Sequence, residues 1–224
     1  MLKSLRLMSA LAFVNPEFNY ADIGADHGYL AKAMLDTGVK LVQVVENKPG
    51  PLEHAKCNLQ DDDNVIYSLS DGLKDLDERI DAVTICGMGG LNIIGIINDC
   101  LAKAKTLKQL ILQANSKIYE LRQFLNEQHF QIENEKIVYE QGKYYEIIAC
   151  RYDTASKSLT EAELRFGPCL MKEKSQVFRA KYYARYLQLT HTLSLLHEEH
   201  TKKKQEITDE LALIDKLELN YENN

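Results

Sequence analysis

Short, mostly apolar runs recur along the first two thirds of the chain, most of them followed by a segment whose apolar residues fall three and four apart. The runs Tyr20–Gly24, Leu41–Val45, Asn64–Leu69, Asp81–Cys86 and Gln109–Gln113 predict strands, and the most apolar of them read as buried on both faces. The 3.6-residue spacing predicts helices over Tyr29–Leu35, from Pro51 at a first helical position to Leu59, through Ile94, Ile97, Leu101 and Ala104, and over 116–128. A first helix carries Leu2, Leu5, Met8 and Ala12 on one stripe. Five strands thus alternate with five helices, and Phe130–Glu140 and Lys143–Tyr152 around Gln141-Gly142 add an antiparallel hairpin. Such alternation implies an α/β fold whose mostly parallel sheet is covered on both faces.

From about Ala155 the pattern changes. Phe178, Tyr182, Leu189, Leu193 and Leu196, then Ile207, Leu211, Ile214, Leu217 and Tyr221, recur at helical spacing on either side of polar His200–Lys204. Two long helices joined by a polar turn predict a helical hairpin, read as a coiled-coil-like arm, with packing on the sheet as the alternative. The expected domains are 1–155 and 156–224.

The 224 residues, 45% hydrophobic and 27% charged, suit a globular protein, and scarce Gly (11) and Pro (4) exclude collagen-like and low-complexity chains. Five widely spaced cysteines without C-x-x-C argue against a disulfide framework or a metal site and suit a reducing, cytoplasmic setting. No apolar run is long enough to cross a membrane. Lys3 and Arg6 before Leu7–Val14 resemble a signal peptide, but the run is short and contains Ser9, so an amphipathic helix is the stronger reading.

The net charge of −6 argues weakly against a polyanionic partner. Its distribution changes that. Residues 1–155 hold 16 basic against 22 acidic side chains, whereas 156–224 hold 11 of each. Arg165, Lys172, Lys174, Arg179, Lys181 and Arg185 face only Glu173 within 165–185. With Arg6, this stretch is the natural contact for nucleic-acid phosphates; a solvated helix face is the alternative.

Ligands of parallel sheets sit at the carboxyl ends of the strands, which here are 22–28, 46–47, 71–72, 87–90 and 113–115. Asp22, Gly24, Asp26, His27 and Gly28 follow the first strand. Glu46, with Asn47, ends the second, at the spacing from Gly24 of an acidic residue that binds ribose hydroxyls, or of a solvated strand end. Asp26 stands where a pyrophosphate-binding turn needs glycine, so its carboxylate disfavours a dinucleotide and a dehydrogenase. It favours a cofactor with sulfonium and ammonium groups, S-adenosylmethionine. Asp71-Gly72 can accept from an adenine amino group. No metal site is expected.

These segments resemble the bacterial tRNA adenine-N1 methyltransferases that modify adenosine 22 in the D-arm. The resemblance rests on ADIGADHGYL (21–30), ENKPGPL (46–52), SDGL (70–73), DAVTICGMGG (81–90), LILQAN (110–115), Leu121-Arg122, Phe124-Leu125, EQGKYYEII (140–148) and FGPCLMKEK (166–174), in order over nearly the whole chain. Two positions depart from the family: Ala114 where proline is usual, and Gly28 where another small residue is. The resemblance implies a Rossmann-like class I methyltransferase domain with a seven-stranded sheet, a C-terminal coiled-coil hairpin, S-adenosylmethionine as cofactor and tRNA as partner.

Adenine N1 carries a lone pair at neutral pH, so transfer needs alignment rather than a strong base. Gly87, Met88 and Gly89, with Gly90, offer backbone carbonyls and space after the fourth strand. Asp26 can stabilise the cationic product or bind cofactor, and its alternative is turn capping. His27 reads as orienting. Asn115 can accept from the exocyclic amine or cap the 116–128 helix, and Met88 can touch the base or merely fill space. The target edge is the Watson–Crick edge, so the adenosine must leave its stack. The competing reading is a non-catalytic nucleotide-binding adaptor. A monomer is expected.

Overall fold

The computed structural model describes residues 4–60, 62–197 and 200–219. Leu2, Lys3 and Tyr221, assigned above to helix stripes or to a charged N-terminus, lie outside the described residues. The chain divides into two compact units, Met1–Cys169 and Leu170–Asn224.

The first unit holds α1 (Leu5–Leu11), β1 (Tyr20–Ile23), α2 (Tyr29–Asp36), β2 (Val42–Glu46), α3 (Pro49–Leu59), β3 (Val65–Leu69), β4 (Ala82–Met88), α4 (Gly90–Asp99), α5 (Leu101–Ala104), β5 (Gln109–Ala114), α6 (Ile118–Glu127), β6 (Phe130–Glu140), β7 (Lys143–Tyr152) and α7 (Glu161–Phe166). The sheet runs β3-β2-β1-β4-β5-β7-β6. β1 to β5 are parallel, and β7 enters antiparallel between β5 and β6. Strand order reverses between β1 and β4, which opens a crevice at their carboxyl ends.

Alternate strand residues reach opposite layers. Leu110 and Leu112 pack with Ile93, Ile97, Leu121 and Leu125, whereas Ile111 packs with Leu30, Met34, Leu52 and Ala55. Burial of both faces explains why these strands are mostly apolar runs. The hairpin turns at Gln141 (φ 50°) and Gly142 (φ 79°), the left-handed pair that matches strand twist.

Four local expectations are corrected. Helix α3 begins at Pro49, which takes the first turn in place of Pro51. Strand β4 continues through Gly87 to Met88 because Gly87 is the extra residue of a bulge opposite β5. The fourth helix breaks at Cys100 into α4 and α5. Helix α6 starts at Ile118, with Lys117 in the left-handed region as its cap, so Asn115 caps nothing.

The first unit also runs past the expected boundary at 155. Arg122, fully buried on α6, donates through Nε to Glu135 Oε1 (2.8 Å) and through Nη2 to Glu146 Oε2 (2.5 Å). Glu135 Oε2 in turn accepts the Cys169 N–H (2.9 Å). Gly167, at φ 88°, lies so close that a Cβ there would meet Arg122 Nη2 and both Glu135 oxygens at 2.7–2.8 Å. The buried ion pairs therefore hold residues 164–169 to the sheet domain.

The second unit contains α9 (Gln176–Leu195) and α10 (Thr201–Asp215), and α8 (Pro168–Glu173) leads into it. Phe178, Tyr182 and Leu189 of α9 and Ile207 and Ile214 of α10 are buried. The two helices pack on each other as the hairpin pattern predicts. Phe178 and Tyr182 meet edge to face at 4.7 Å, and Arg185 grips Glu210 with two nitrogens (2.7 and 2.9 Å).

Candidate active site

β1 and β4 pair in register, which places Asp22 beside Thr84 on one face. Asp22 is buried, and its Oδ1 accepts from Thr84 Oγ1 (2.6 Å). Burial pushes its carboxyl up from 3.8 to about 6, against the Thr84 bond, and nearby Glu46 adds to the rise. Asp22 thus faces the fold interior, at the foot of the 24–28 turn. Glu46, buried at the end of β2, accepts the Asp26 backbone N–H through Oε1 (2.5 Å). That bond fixes the 24–28 turn, with Asp26 at φ 53°. Asp71 is exposed and paired with Lys74 (2.8 Å), and Gly72 is buried below it against Ile96. Asn47 is exposed after Glu46.

The β4 bulge is tied from three sides. Gly87 N–H donates to Gln113 Oε1 (3.0 Å), and Asn115 Nδ2 donates to the Gly87 carbonyl (2.7 Å). Gln113 Nε2 donates to Asn115 Oδ1 (3.1 Å), and Arg6 Nη1 to Gln113 Oε1 (2.6 Å). Gly87 has φ 82°, a conformation that favours glycine, and a Cβ on it would push Arg6 Nη1, 2.9 Å away, off its place. Met88 lays its methyl group against Gly24, where a side chain on that residue would lie, and so links the β1 and β4 loops. Gly89 caps α4 in extended conformation.

Glu140 explains how Arg6 arrives there. Its carboxylate accepts from Ser4 Oγ (2.9 Å) and from the Leu5 and Arg6 backbone N–H groups, which pins the start of α1 to the hairpin. Arg6 then lies over the Tyr145 ring at 5.7 Å. A cavity of about 790 Å³ opens here, lined by Arg6, Gly28, Tyr29, Gly87, Asn115 and Tyr145 among others. Arg6, expected as a phosphate contact, lies at this cavity. Asp22, Glu46 and Asp71 do not line it; they mark the adjoining strand ends.

Gln113 lies in the expected 113–115 strand end, whereas Tyr29, Glu140 and Tyr145 were missed. Tyr29 could have been found, because it directly follows Gly28 at the start of α2. Tyr145 could not, because nothing in the pattern places β7 beside β5.

Of the basic residues, Lys172 and Arg179 are exposed, and Lys174 and Lys181 are half-buried. Arg179 Nε donates to the Lys174 carbonyl (2.9 Å), and Lys181 lies over the Tyr182 ring (4.9 Å). Arg165 is paired with Glu161 (2.9 Å) and stacked on Tyr119, with its Nε buried and unbonded.

Comparison with known proteins gives concordant results. Residues 20–216 match the family model described as tRNA (adenine(22)-N(1))-methyltransferase. A Bacillus subtilis tRNA (adenine(22)-N(1))-methyltransferase is 30% identical over 94% of each chain. A candidate tRNA (m1A22) methyltransferase from Streptococcus pneumoniae, solved with S-adenosyl-L-methionine, is 31% identical with TM-score 0.86, over 96% of this chain and 99% of that one. M. capricolum TrmK, solved with S-adenosyl-homocysteine, is 26% identical with TM-score 0.84, over 98% and 99%.

Proposed function

The chain belongs to the tRNA (adenine(22)-N(1))-methyltransferase family, and from that premise we propose which of its residues hold cofactor, base and RNA. It is an S-adenosylmethionine-dependent enzyme that methylates adenine N1 of tRNA, with adenosine 22 as target. The observation that carries the site assignment is the bulged Gly87, tied by Gln113, Asn115 and Arg6, at the cavity beside the Gly24–Gly28 turn.

The donor set fits the cofactor. Glu46 offers Oε2 to the ribose hydroxyls, with Asn47 beside it, and Asp71-Gly72 receives the adenine. Asp26 sets a negative charge near the cationic end, and Asp22, Gly24, His27 and Gly28 shape the turn. When bound, S-adenosylmethionine supplies an electrophilic methyl group on sulfur. The adenine N1 lone pair takes that methyl as the carbon–sulfur bond breaks, and no proton need leave N1.

This chain's own residues align the base. The Gly87–Gly89 backbone and Asn115 line the base position, and Met88 closes the space between the loops. Tyr29, on the first turn of α2 and exposed, offers a ring face to a base removed from its stack. Arg6 suits the target nucleotide's own phosphate. Acceptors fixed before reaction stabilise the charge that develops on the base.

For the rest of the tRNA, Lys172, Lys174, Arg179 and Lys181 in the helical unit are the phosphate contacts, and that unit, from Leu170 on, is the tRNA-binding part for the D-arm region. The enzyme acts as a cytoplasmic monomer; its five free cysteines and its tRNA substrate support the compartment. The site assignment is tested by labelled methyl transfer to unmodified tRNA. Asn115→Ala is expected to lower kcat by about tenfold or more with the KM for cofactor unmoved, consistent with loss of one positioning contact. An unchanged kcat overturns the role of Asn115.

A further inference from the structure

We propose that Asp26, His27 and His54 form a binding site for a borderline divalent transition metal, with Zn2+ the best-suited ion, and that its occupation weakens cofactor binding. One ligand atom from each of the three side chains lies within 4.8 Å of the others. The His27 and His54 rings stack at 5.4 Å with 12° between their planes, and Asp26 Oδ2 is 3.8 Å from His27 Nε2.

The backbones beneath these side chains are held. The Asp26 N–H is bound by Glu46, and the His27 carbonyl accepts from Asn58 Nδ2 (3.0 Å). Asn58 lies one turn after His54 on α3, so the helix that presents His54 also clamps the backbone of His27. Tetrahedral zinc with bonds of about 2.0–2.2 Å needs ligand atoms about 3.4 Å apart. Small side-chain rotations close the remaining gap. Those rotations are open to all three groups, since the Asp26 and His27 side chains keep 69% and 45% of their surface exposed. Two imidazoles and one carboxylate favour zinc, cobalt, nickel or copper over magnesium or calcium. Three protein ligands leave an open coordination position.

The consequence rests on the reading that Asp26 faces the cationic end of the cofactor. A bare Asp26 presents one negative charge there. With a divalent ion bound, the same group is net positive and repels sulfonium and ammonium. S-adenosylmethionine should lose affinity by more than S-adenosylhomocysteine, whose sulfur is neutral. The metal is an inhibitor in this scheme and takes no part in methyl transfer.

The test uses the full chain, freed of metal with a chelator. Titration with Co2+ should give one ion per chain with the visible bands of a low-symmetry site, displaced by Zn2+, and His54→Ala should abolish them. His54→Ala should keep its basal methyl transfer in chelator, because His54 does not line the cavity and the 24–28 turn is held by Glu46 and Asn58 without it. Zn2+ should raise the KM for S-adenosylmethionine by about fivefold or more in the wild type and leave His54→Ala unmoved. Cys57→Ser, an exposed thiol on the same helix, should bind Co2+ like the wild type. Failure of Co2+ to bind stoichiometrically, or equal binding by His54→Ala, overturns the site. Stoichiometric binding with an unmoved KM overturns the inhibition. The Co2+ readout needs no methyl transfer, so failure of the cofactor reading would be seen separately.

Discussion

Asp22 buries an ionisable group at the base of the cofactor turn, and replacement by Asn should change how stability depends on pH. Its carboxyl is raised from 3.8 to about 6 by burial, against the Thr84 bond, with Glu46 adding. A raised carboxyl contributes most to stability below pH 3.8 and loses that contribution as pH rises through 6. The full span corresponds to about 3 kcal/mol, and about 2 kcal/mol of it falls between roughly pH 4.5 and 7. Asn at this position keeps an acceptor for Thr84 and does not titrate. The stability of Asp22→Asn relative to the wild type should therefore climb by about 2 kcal/mol over that interval and stay level above it. The chain has no Trp and 12 Tyr, so urea unfolding is followed by far-ultraviolet circular dichroism or tyrosine fluorescence. Any constant offset from the new amide cancels in the slope. Parallel profiles for the two proteins would refute the reasoning. A cationic cofactor near the turn should also favour ionised Asp22, so wild-type affinity for S-adenosylmethionine should fall as pH drops below 6.

Three other outcomes are expected. Glu46→Ala removes both the ribose acceptor and the bond that fixes the Asp26 N–H; calorimetry with S-adenosylhomocysteine should show about ten- to hundredfold weaker binding, and wild-type affinity would remove Glu46 from the cofactor site. Gly167→Ala drives a methyl group into the Arg122–Glu135 pair at a positive φ and should cost about 2–4 kcal/mol, read as a lower Tm, with an unchanged Tm contradicting the packing described. Neutralising Lys172, Lys174, Arg179 and Lys181 together should weaken tRNA binding and reduce the salt slope of log K by up to about 3, while cofactor affinity holds; an unchanged slope takes this stretch out of the RNA interface.

The central strands were legible in the chain because burial on both faces writes them as mostly apolar runs, as at Val42–Val45, broken by Gln43 alone, and Leu110–Leu112. The strand ends followed, and with them Asp22, Glu46 and the 87–90 segment. The hairpin was legible from its Gln141-Gly142 turn, but its order in the sheet was not. Placing β7 next to β5 is what brings Tyr145 to the cavity, and that depends on pairing between distant segments. Gly87 read as the residue after a strand, whereas the bulge and the Gln113–Asn115 bonds make it part of the strand. Arg122 entered only as part of a segment that carries the resemblance. Its burial is visible only with Glu135 and Glu146, which come from two other strands. The domain boundary moved for the same reason, since those carboxylates hold residues up to Cys169.

Charge gave a similar lesson. Arg165 and Arg185 belong to the basic stretch by count, but Glu161 and Glu210 neutralise them. The stretch therefore carries less unpaired positive charge than the count suggested.

The most direct test of the account maps methylation on one tRNA. The purified protein is incubated with S-adenosylmethionine and an unmodified tRNA carrying adenosine 22, and nuclease fragments are read by mass spectrometry. The account predicts one added methyl group, on N1 of adenosine 22. Methylation at another position, at another atom of that base, or not at all would contradict it.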